Sequence, residues 1–449
     1  MSRLFGTDGV RGIANKDLTP ILAFNLGKAG TYVLNKDKER PIIIIGKDTR
    51  ISGDMLEDAL SAGILAMGGN VIKVGVLPTP AIAYLVKYLH ADAGVMISAS
   101  HNTFEYNGIK FFNEDGFKLD DDIEDQIEDI IARDIDITDN VTGERLGRCV
   151  EADTKALDYY VEFLKSTIDV SLAGMKLVLD CANGAAYQAA QKVFSDLGAR
   201  VIAIADDPNG LNINAGCGST HPEKLQRMVL KTKADMGFAF DGDADRLIAV
   251  DEKGRIIDGD KMICICARMM KETGTLADDK VTATVMSNLG FHKYLEQLDV
   301  KRDVTAVGDR YVLESMLKTG CVIGGEQSGH IIFLNYTTTG DGILSALQLL
   351  KAVKHDGRAP SEIADDIRIY PQVLKNAAIK EENKRRYERD IEIQNEIRRL
   401  EQKMAGEGRV LIRPSGTEPL VRVMIEGSDI SEITELAESL AILITKKFG

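Results

Sequence analysis

Hydrophobic and polar positions along the first third of the chain switch repeatedly between the spacing of a strand and that of a helix. Residues 41–46, Pro-Ile-Ile-Ile-Ile-Gly, form a continuous β-branched run, which is typical of a strand buried on both faces. Helical apolar spacing covers residues 53–67 and 79–89, and short strand-like runs cover residues 71–76 and 93–98. This βαβαβ order predicts a parallel sheet with right-handed crossovers.

The same alternation returns twice before the pattern changes near residue 367. We predict further strands at residues 176–180, 200–205, 236–240, 281–284, 321–324 and 331–333. We predict helices at residues 120–139 (acidic and exposed), around Tyr159, and at 185–197, 225–233, 260–272, 309–318 and 341–354. The C-terminal part predicts a charged helix at residues 380–404, strands at 409–412 and 421–425, and a final helix at 433–448.

These patterns predict an α/β fold with three similar mixed α/β domains, whose sheets are largely parallel, plus a smaller C-terminal α+β domain. The predicted domains are residues 1–152, 153–254, 255–366 and 367–449. Each contains one conspicuous polar loop where a strand ends, which is where open α/β sheets bind ligands.

Composition narrows the classes of partner. The net charge of −14 argues against nucleic acid, because phosphate backbones require basic surfaces. The six cysteines lack zinc-site spacing, so we interpret them as buried thiols in a reducing compartment. Residues 1–6 lack a secretory apolar segment, and no apolar run is long enough to cross a bilayer. We therefore expect a cytoplasmic protein that binds neither nucleic acid nor membrane.

The sequence Asp-Gly-Asp-Ala-Asp-Arg, residues 241–246, places three carboxylates at alternate positions. Asp241, Asp243 and Asp245 can converge on one hard cation, and Mg²⁺ prefers such oxygen ligands. A calcium EF-hand loop is the competing interpretation. However, its sixth position requires Gly and is Arg246 here, and strand-like rather than helical sequences flank the loop. The sequence favours Mg²⁺ over Ca²⁺.

The sequence Ile-Ser-Ala-Ser-His-Asn, residues 97–102, follows a predicted buried strand. A serine can carry a group covalently, and a neighbouring metal would neutralise the charge of a phosphate attached to it. Lys110 lies close in sequence and is a candidate base. Alone, this Ser-x-Ser-His pattern most often forms a helix cap or a turn.

Two further loops offer groups that bind polar ligands. Residues 413–419, Arg-Pro-Ser-Gly-Thr-Glu-Pro, combine a guanidinium, hydroxyls and free backbone N–H groups, as in a phosphate cradle. Residues 324–330, Gly-Gly-Glu-Gln-Ser-Gly-His, contain Glu326 and Ser328, which could bind sugar hydroxyls. Taken singly, the first is compatible with a plain surface turn and the second with a glycine-rich strand connection.

The ordered set of motifs resembles the α-D-phosphohexomutases. The resemblance runs from Phe-Gly-Thr-Asp-Gly-Val-Arg-Gly (residues 5–12) through Ser-Ala-Ser-His-Asn, Asn-Gly-Ile-Lys-Phe-Phe, Asp-Gly-Asp-Ala-Asp-Arg and Gly-Glu-Gln-Ser-Gly-His to Arg-Pro-Ser-Gly-Thr-Glu-Pro. It covers nearly the whole chain. The Gly-Glu-Gln-Ser-Gly-His loop resembles the glucosamine branch more than the glucose or mannose branches.

This resemblance implies an active cleft where four domains meet and a reaction that converts glucosamine 6-phosphate to glucosamine 1-phosphate. Ser100 would be phosphorylated, and glucosamine 1,6-bisphosphate would be the intermediate and activator. One Mg²⁺ per chain would bind Asp241, Asp243, Asp245 and the phosphate on Ser100. The other implied catalytic residues are Arg11, His101, Lys110, Arg246 and His330. The implied substrate-binding residues are Glu326, Ser328, Arg413, Ser415, Gly416, Thr417 and Arg422.

Some alternatives stay open. The chain has Thr103 where the family usually has Pro and Tyr106 where Asp is common, so the conformation of the nucleophile loop is open. A mutase for glucose or mannose phosphates, a metal-dependent phosphatase with a serine nucleophile, and a non-catalytic sugar-phosphate binding protein are the rival functions. The expected partner is a small sugar phosphate, and a homodimer and an activating kinase are further partners to test.

Overall fold

The computed structural model describes residues 3–6, 8–34, 38–135, 137, 141–150, 154–415 and 418–449. The chain divides into two compact units, which are Met1–Met286 with Val300–Asp365, and Ser287–Asp299 with Asp366–Gly449. Among the described residues, none of the helices has the length and apolar character needed to span a bilayer. The described strands form four sheets.

The first sheet combines a parallel centre with an antiparallel edge. Its strands are β1 (Val10–Ile13), β2 (Ile42–Lys47), β3 (Asn70–Val76), β4 (Ala93–Ile97), β5 (Tyr106–Asn113) and β6 (Cys149–Val150). The accompanying helices are α1 (Pro20–Leu34), α2 (Gly53–Ala66), α3 (Thr79–Tyr88) and α4 (Asp121–Ala132). The order is β1-β5-β4-β2-β3-β6; β4, β2, β3 and β6 run parallel, and β1 and β5 pair antiparallel.

The second sheet repeats this arrangement. Its strands are β7 (Lys176–Asp180), β8 (Arg200–Ile204), β9 (Met236–Phe240), β10 (Leu247–Asp251) and β11 (Ile256–Ile257). Its helices are α5 (Ala156–Ser166), α6 (Ala186–Asp196) and α7 (Glu223–Thr232). Strand β7 lies parallel to β8 and β9, and β10 turns back antiparallel to β9. Because β11 pairs with β10, this sheet extends past the boundary predicted at residue 254.

The third sheet follows the order β13-β12-β14-β15. Its strands are β12 (Lys280–Thr284), β13 (Lys301–Thr305), β14 (Ile323–Gly325) and β15 (Ile331–Phe333), of which only β15 is antiparallel to its neighbour. The helices in this part of the chain are α8 (Gly259–Glu272), α9 (Leu289–Gln297), α10 (Asp309–Thr319), α11 (Gly342–Asp356) and α12 (Pro360–Asp365). Helix α9 belongs to the second compact unit.

The second unit contains an antiparallel sheet of order β16-β18-β17. Its strands are β16 (Gln372–Ala378), β17 (Gly408–Pro414) and β18 (Leu420–Gly427), and its other helices are α13 (Ile391–Lys403) and α14 (Ile430–Phe448). The apolar side chains of α13, α14 and the sheet form one buried cluster. Three mixed sheets with parallel centres and one smaller antiparallel sheet confirm the predicted fold class.

Some predicted elements were wrong in their bounds. The charged helix predicted at residues 380–404 begins only at Ile391, where the side chain of Asp390 accepts the backbone N–H of Ile393 at 3.1 Å. Two 3-10 turns, Glu381–Asn383 and Arg386–Arg389, precede it; the other 3-10 turns are Gly143–Arg145 and Ala277–Asp279. Helix α4 ends at Ala132, short of the predicted end at residue 139, and the described residues 133–135 and 137 are not helical. Residues 136, 138 and 139, like the predicted boundary at 152, fall outside the described residues.

Candidate active site

The candidate nucleophile, Ser100, lies in the loop between β4 and β5. The residue is buried and its φ of +51° is in the left-handed region, which is uncommon for a residue other than glycine. Its hydroxyl donates to Oδ2 of Asp241 at 2.6 Å. The loop therefore points the hydroxyl of Ser100 at the predicted metal site, whereas Ser98 donates to Asp48.

The three carboxylates of the Asp241–Arg246 loop lie at the turn between β9 and β10. Asp241, Asp243 and Asp245 are all buried, and one oxygen from each lies within 4.8 Å of the others. The flanking β9 and β10 are antiparallel strands, which excludes the helix-flanked EF-hand alternative. The backbone N–H of Arg246 donates to Oδ1 of Asp241 at 3.1 Å and closes the turn.

The buried oxygens of this cluster fit a divalent cation. Oδ1 of Asp243 and Oδ1 of Asp245 are buried and have no hydrogen-bond partner among the residues that the structure describes. Burial, followed by the charges of Asp245 and Asp243, raises the pKa of Asp241 well above its ordinary value. Because three such carboxylates repel one another, a bound cation would relieve the repulsion and satisfy the free oxygens. An all-oxygen donor set suits Mg²⁺.

A buried ammonium, that of Lys110 on β5, balances part of this negative charge. Its Nζ lies 2.8 Å from Oδ2 of Asp243 and 2.8 Å from Oδ2 of Asp8. Burial opposes the charge, but Asp243 and Asp8 together outweigh burial and raise the pKa of Lys110. The structure therefore favours a permanent cation at this position over the base considered from the sequence. The hydroxyl of Thr79 donates to the same oxygen of Asp243 at 2.6 Å.

A second lysine extends the network of buried charges. Nζ of Lys118 lies 2.6 Å from Oδ1 of Asp8 and 2.5 Å from Oδ2 of Asp309. Asp309, the first residue of α10, lies beside His330. The network therefore joins segments that are far apart in sequence and places alternating charges along one wall of the site.

A cavity of about 530 Å³ opens beside these charges. Among the residues that line it, the following were predicted from the sequence: Arg11, His101, Asp245, Arg246, Glu326 and His330. Its volume is typical of sites for small organic ligands. Burial, followed by the charges of Arg246 and Arg11, lowers the pKa of His101, so that its ring is neutral at neutral pH.

The sugar loop predicted at residues 324–330 contributes two side chains to this cavity. Nε2 of His330 accepts the backbone N–H of Gly340 at 3.1 Å, while Nδ1 lies 3.5 Å from Oδ2 of Asp245. Burial lowers the pKa of His330, but Asp245 and Asp309 together outweigh burial and raise it. Oε1 of Glu326 accepts the N–H of Gly308 at 3.1 Å. Ser328 donates to Glu326 at 3.5 Å and is not a lining residue.

The predicted phosphate loop lies in the second compact unit. Arg413 on β17 and Arg422 on β18 are cross-strand partners. Burial and the charge of Arg422 lower the pKa of Arg413, and no carboxylate pairs with Arg413 among the described residues. Ser415 is buried and its hydroxyl accepts the N–H of Glu418 at 3.3 Å. The predictions for Gly416 and Thr417 lie outside the described residues.

Sequence reasoning missed four residues of the site. These are Asp8, Thr79, Lys118 and Asp309. Asp8 belongs to the first recognised motif and could have been assigned from it. Thr79, Lys118 and Asp309 have no motif, and only their tertiary contacts with charged partners identify them.

Four family models match the chain in order. They are the phosphoglucomutase/phosphomannomutase α/β/α domains I, II and III, at residues 2–137, 158–254 and 258–370, and the C-terminal domain of that family, at residues 374–443. The predicted domain boundaries stay predictions.

Similar proteins match over the full length. Proteins named phosphoglucosamine mutase from Caldanaerobacter subterraneus subsp. tengcongensis and Clostridium beijerinckii are 58% and 56% identical over 449 residues, covering 100% of both chains in each case. A phosphoglucomutase/phosphomannomutase family protein from Burkholderia thailandensis has a similar structure, with a TM-score of 0.81 at 24% identity, covering 99% of this chain and 98% of the other. Aspergillus fumigatus N-acetylphosphoglucosamine mutase, solved with GlcNAc-6P and magnesium, has a TM-score of 0.70 at 19% identity, covering 99% and 96%.

Proposed function

Because the chain belongs to the phosphoglucomutase/phosphomannomutase family, and is therefore an enzyme of the isomerase class, we propose that it interconverts glucosamine 6-phosphate and glucosamine 1-phosphate. The reaction proceeds through a phosphorylated Ser100 and glucosamine 1,6-bisphosphate. The glucosamine 1-phosphate supplies the synthesis of UDP-N-acetylglucosamine and of cell-wall precursors. The choice of glucosamine rests on the names of the relatives that are 54–58% identical over the whole chain.

The observation that carries this proposal is the hydrogen bond from the Ser100 hydroxyl to Asp241. A serine Oγ that lies 2.6 Å from one of three clustered, buried carboxylates is placed beside a cation site. A phosphate on this oxygen would lie next to the cavity lined by Arg11 and Arg246. Serine, cation site and basic cavity are the parts that phosphoryl transfer requires.

The first half-reaction transfers the phosphoryl group of Ser100 to the C1 hydroxyl of glucosamine 6-phosphate. The sugar oxygen forms a bond to phosphorus while the bond from phosphorus to Oγ of Ser100 breaks. The sugar hydroxyl loses its proton, and Oγ of Ser100 becomes a hydroxyl when it takes up a proton. His101, whose ring is neutral, and His330 both line the cavity and are the proposed groups for these proton movements.

The second half-reaction runs in the opposite sense on the other end of the sugar. The bisphosphate turns over in the cavity, and its C6 phosphoryl group moves to Ser100, which releases glucosamine 1-phosphate. Glu326 and Ser328 are proposed to bind the sugar ring. The proposed ligands of the phosphate that is not being transferred are Arg413, Ser415, Gly416, Thr417 and Arg422. The lack of a carboxylate partner for Arg413 among the described residues supports a role in binding an anion.

Positively charged groups around Asp243 and along the cavity can stabilise the transferring phosphoryl group. Mg²⁺ held by Asp241, Asp243, Asp245 and a phosphate oxygen would neutralise charge on the transferring group. Lys110 keeps Asp243 in place and adds a fixed positive charge. Arg11 and Arg246 extend that charge into the cavity. An acidic protein can bind an anionic substrate in this way, because a few cations are concentrated in one cleft.

A substrate panel tests the proposed function. We expect the highest kcat/KM with glucosamine 6-phosphate when glucosamine, glucose and mannose 6-phosphates are compared with Mg²⁺ and a trace of the matching bisphosphate. Ser100→Ala should be inactive, whereas Ser166→Ala, an exposed serine at the end of α5, should keep full activity. A preference for glucose or mannose would contradict the assigned substrate. Release of inorganic phosphate as the main product would support the phosphatase alternative instead.

A further inference from the structure

A buried arginine lies beneath the loop that carries Ser100. The side chain of Arg50, in the segment between β2 and α2, is 0% exposed. Its guanidinium donates to four backbone carbonyls of the loop, those of Ser100 (2.9 Å), Asn102 (2.8 Å), Tyr106 (3.0 Å) and Thr103. A single side chain therefore holds both ends of the seven-residue stretch from Ser100 to Tyr106.

A buried carboxylate fixes the orientation of this guanidinium. Nε of Arg50 donates to Oδ2 of Asp48 at 2.8 Å, and Asp48 also accepts the hydroxyl of Ser98 at 2.6 Å. Oγ of Ser98 in turn accepts the backbone N–H of Ser100 at 3.0 Å. The Ser-Ala-Ser pattern is explained by this chain of bonds, because Ser98 holds the backbone of Ser100 from its amide side.

A second donor reaches the same carbonyls from the second sheet's loops. Nδ2 of Asn214 donates to the carbonyls of Ser100 at 2.8 Å and Asn102 at 2.9 Å. The backbone N–H of Asn214 donates to the carbonyl of Ala182 at 2.8 Å. Asn214 thereby ties the serine loop to the domain that contributes the Asp241–Arg246 loop.

This clamp, defined as Asp48, Arg50, Ser98 and Asn214, opposes a real strain. A left-handed backbone is strained at a residue with a Cβ, here Ser100. Without the bonds to the carbonyls and amide of the loop, the backbone would relax and move Oγ away from Asp241. The clamp contacts backbone atoms of Thr103 and Tyr106, so its geometry does not depend on those side chains. Both departures from the usual family pattern are therefore compatible with a positioned nucleophile.

We propose that Arg50 is the positioning residue for Ser100, acting with Asp48, Ser98 and Asn214 to hold the nucleophile in line for phosphoryl transfer. This inference rests on the proposed role of Ser100 as phosphate carrier. The planar guanidinium has five donors in a fixed geometry, whereas a lysine ammonium has three donors at one point. A lysine at position 50 would keep the charge but could not bond to Asp48 and four separate carbonyls at once.

Substitution of Arg50 in the full-length enzyme tests the clamp. In Arg50→Lys we expect kcat to fall about 100-fold, as for a misplacement of the reacting group on the order of 1 Å, with KM for the sugar phosphate unchanged. In Arg50→Ala we expect millimolar guanidinium, but not methylammonium, to restore part of kcat. Arg255→Lys is the matched control, because Arg255 also bonds to two carboxylates and a carbonyl but lies outside the site. It should leave kcat unchanged.

A milder variant keeps the test decisive if Arg50→Ala does not fold. Asn214→Ala removes two of the six bonds from clamp side chains to the loop carbonyls, and we expect a lower kcat at unchanged KM. Unchanged kcat in both Arg50→Lys and Asn214→Ala, with Ser100→Ala inactive, would overturn the clamp and leave the proposed function standing. An active Ser100→Ala enzyme would instead overturn the proposed function on which the clamp rests.

Discussion

At the residue scale, the site is a set of buried charges that lie close to opposite charges. Lys110 is shared between Asp243 and Asp8, and Lys118 between Asp8 and Asp309. Burying such charges is costly unless each is paired and hydrogen-bonded. Oδ1 of Asp243 and Oδ1 of Asp245 lack a hydrogen-bond partner among the described residues, and a bound cation would satisfy both.

The role of Asp243 can be tested with a nearly isosteric change. Asp243→Asn keeps the shape but removes one charge from the cation site, so kcat should fall at least about 100-fold while the fold is retained. Asp235→Asn removes a charge just before β9 instead of just after it, and it should leave both kcat and the fold unchanged. Turnover at saturating Mg²⁺ and circular dichroism measure the two effects. Near-normal turnover of Asp243→Asn would show that the cluster is structural.

We propose that Arg413 contributes to the binding of substrate more than to its chemistry. Contacts that are equally strong in ground and transition states change KM and leave kcat unchanged. Loss of a charge-assisted contact worth about 1.5–3 kcal/mol should raise KM roughly 10- to 100-fold in Arg413→Ala. Steady-state kinetics provide the measurement, with Arg398→Ala on the exposed face of α13 as control. We also expect Arg413→Ala to require added glucosamine 1,6-bisphosphate, and an unchanged KM without that requirement would refute this role.

At the element scale, the site is built where strands end and loops approach one another closely. Gly184, after β7, packs against the backbone of Gly242 in the carboxylate loop, and a Cβ on Gly184 would lie 2.4 Å from the carbonyl oxygen of Gly242. Gly242 in turn lies under Ser100, where a Cβ would be 2.5 Å from the carbonyl oxygen of Ser100. The absence of side chains here is what allows three loops to meet.

Gly184→Ala should displace the carboxylate loop. The contacts are with backbone, which cannot rotate away, so we expect kcat to fall about 100-fold and stability to fall by about 1–3 kcal/mol. Gly53→Ala is the control, because its Cβ would come closest to the flexible side chain of Lys47, at 3.2 Å, and would lie at an ordinary contact distance of 3.8 Å from the carbonyl oxygen of Asp48. The substitution lies in a helix, which favours alanine over glycine. Kinetics and thermal melting distinguish the two. Wild-type kcat in Gly184→Ala would mean that the loops tolerate displacement.

The elements that could be predicted from the sequence were those with strong periodicity. Strands such as β2 and β9 could be predicted because they are continuous apolar runs. The alternating carboxylates of residues 241–245 likewise predict a cation site. Strand β5 could not be predicted in the same way, because it contains Lys110, which is buried only through its tertiary ion pairs. Arg50 and Asn214 carry no local pattern either. Their function depends on contacts with residues 50 to 114 positions away in sequence.

At the scale of the whole molecule, neither compact unit is one continuous segment of the chain. Residues 287–299 belong to the second unit, although the residues directly before and after them belong to the first. Glu426 on β18 accounts for this grouping. Its buried carboxylate accepts hydrogen bonds from Nδ2 of Asn288 at 3.2 Å and from the backbone N–H of Leu289 at 3.0 Å. Nε of Arg409 donates to the same carboxylate at 2.9 Å.

Glu426→Gln should loosen this connection without affecting the first unit. In either orientation the amide nitrogen of the glutamine faces a donor, so at least one bond worth about 1–3 kcal/mol is lost. We expect faster hydrogen exchange in residues 287–299 and 420–427, measured by mass spectrometry. Glu438→Gln on the exposed face of α14 should change nothing. Unchanged protection of residues 287–299 would show that other contacts hold them.

We propose that Ser100 carries the phosphoryl group that the sugar receives and returns. The most direct measurement is a single turnover of enzyme labelled with radioactive phosphate, mixed with an equimolar amount of unlabelled glucosamine 6-phosphate and Mg²⁺. We expect the label to map to Ser100, to pass to C1 of the sugar through glucosamine 1,6-bisphosphate, and to appear in glucosamine 1-phosphate while Ser100 is phosphorylated again. Label on Ser98, or its release as inorganic phosphate, would show that Ser100 does not carry the group.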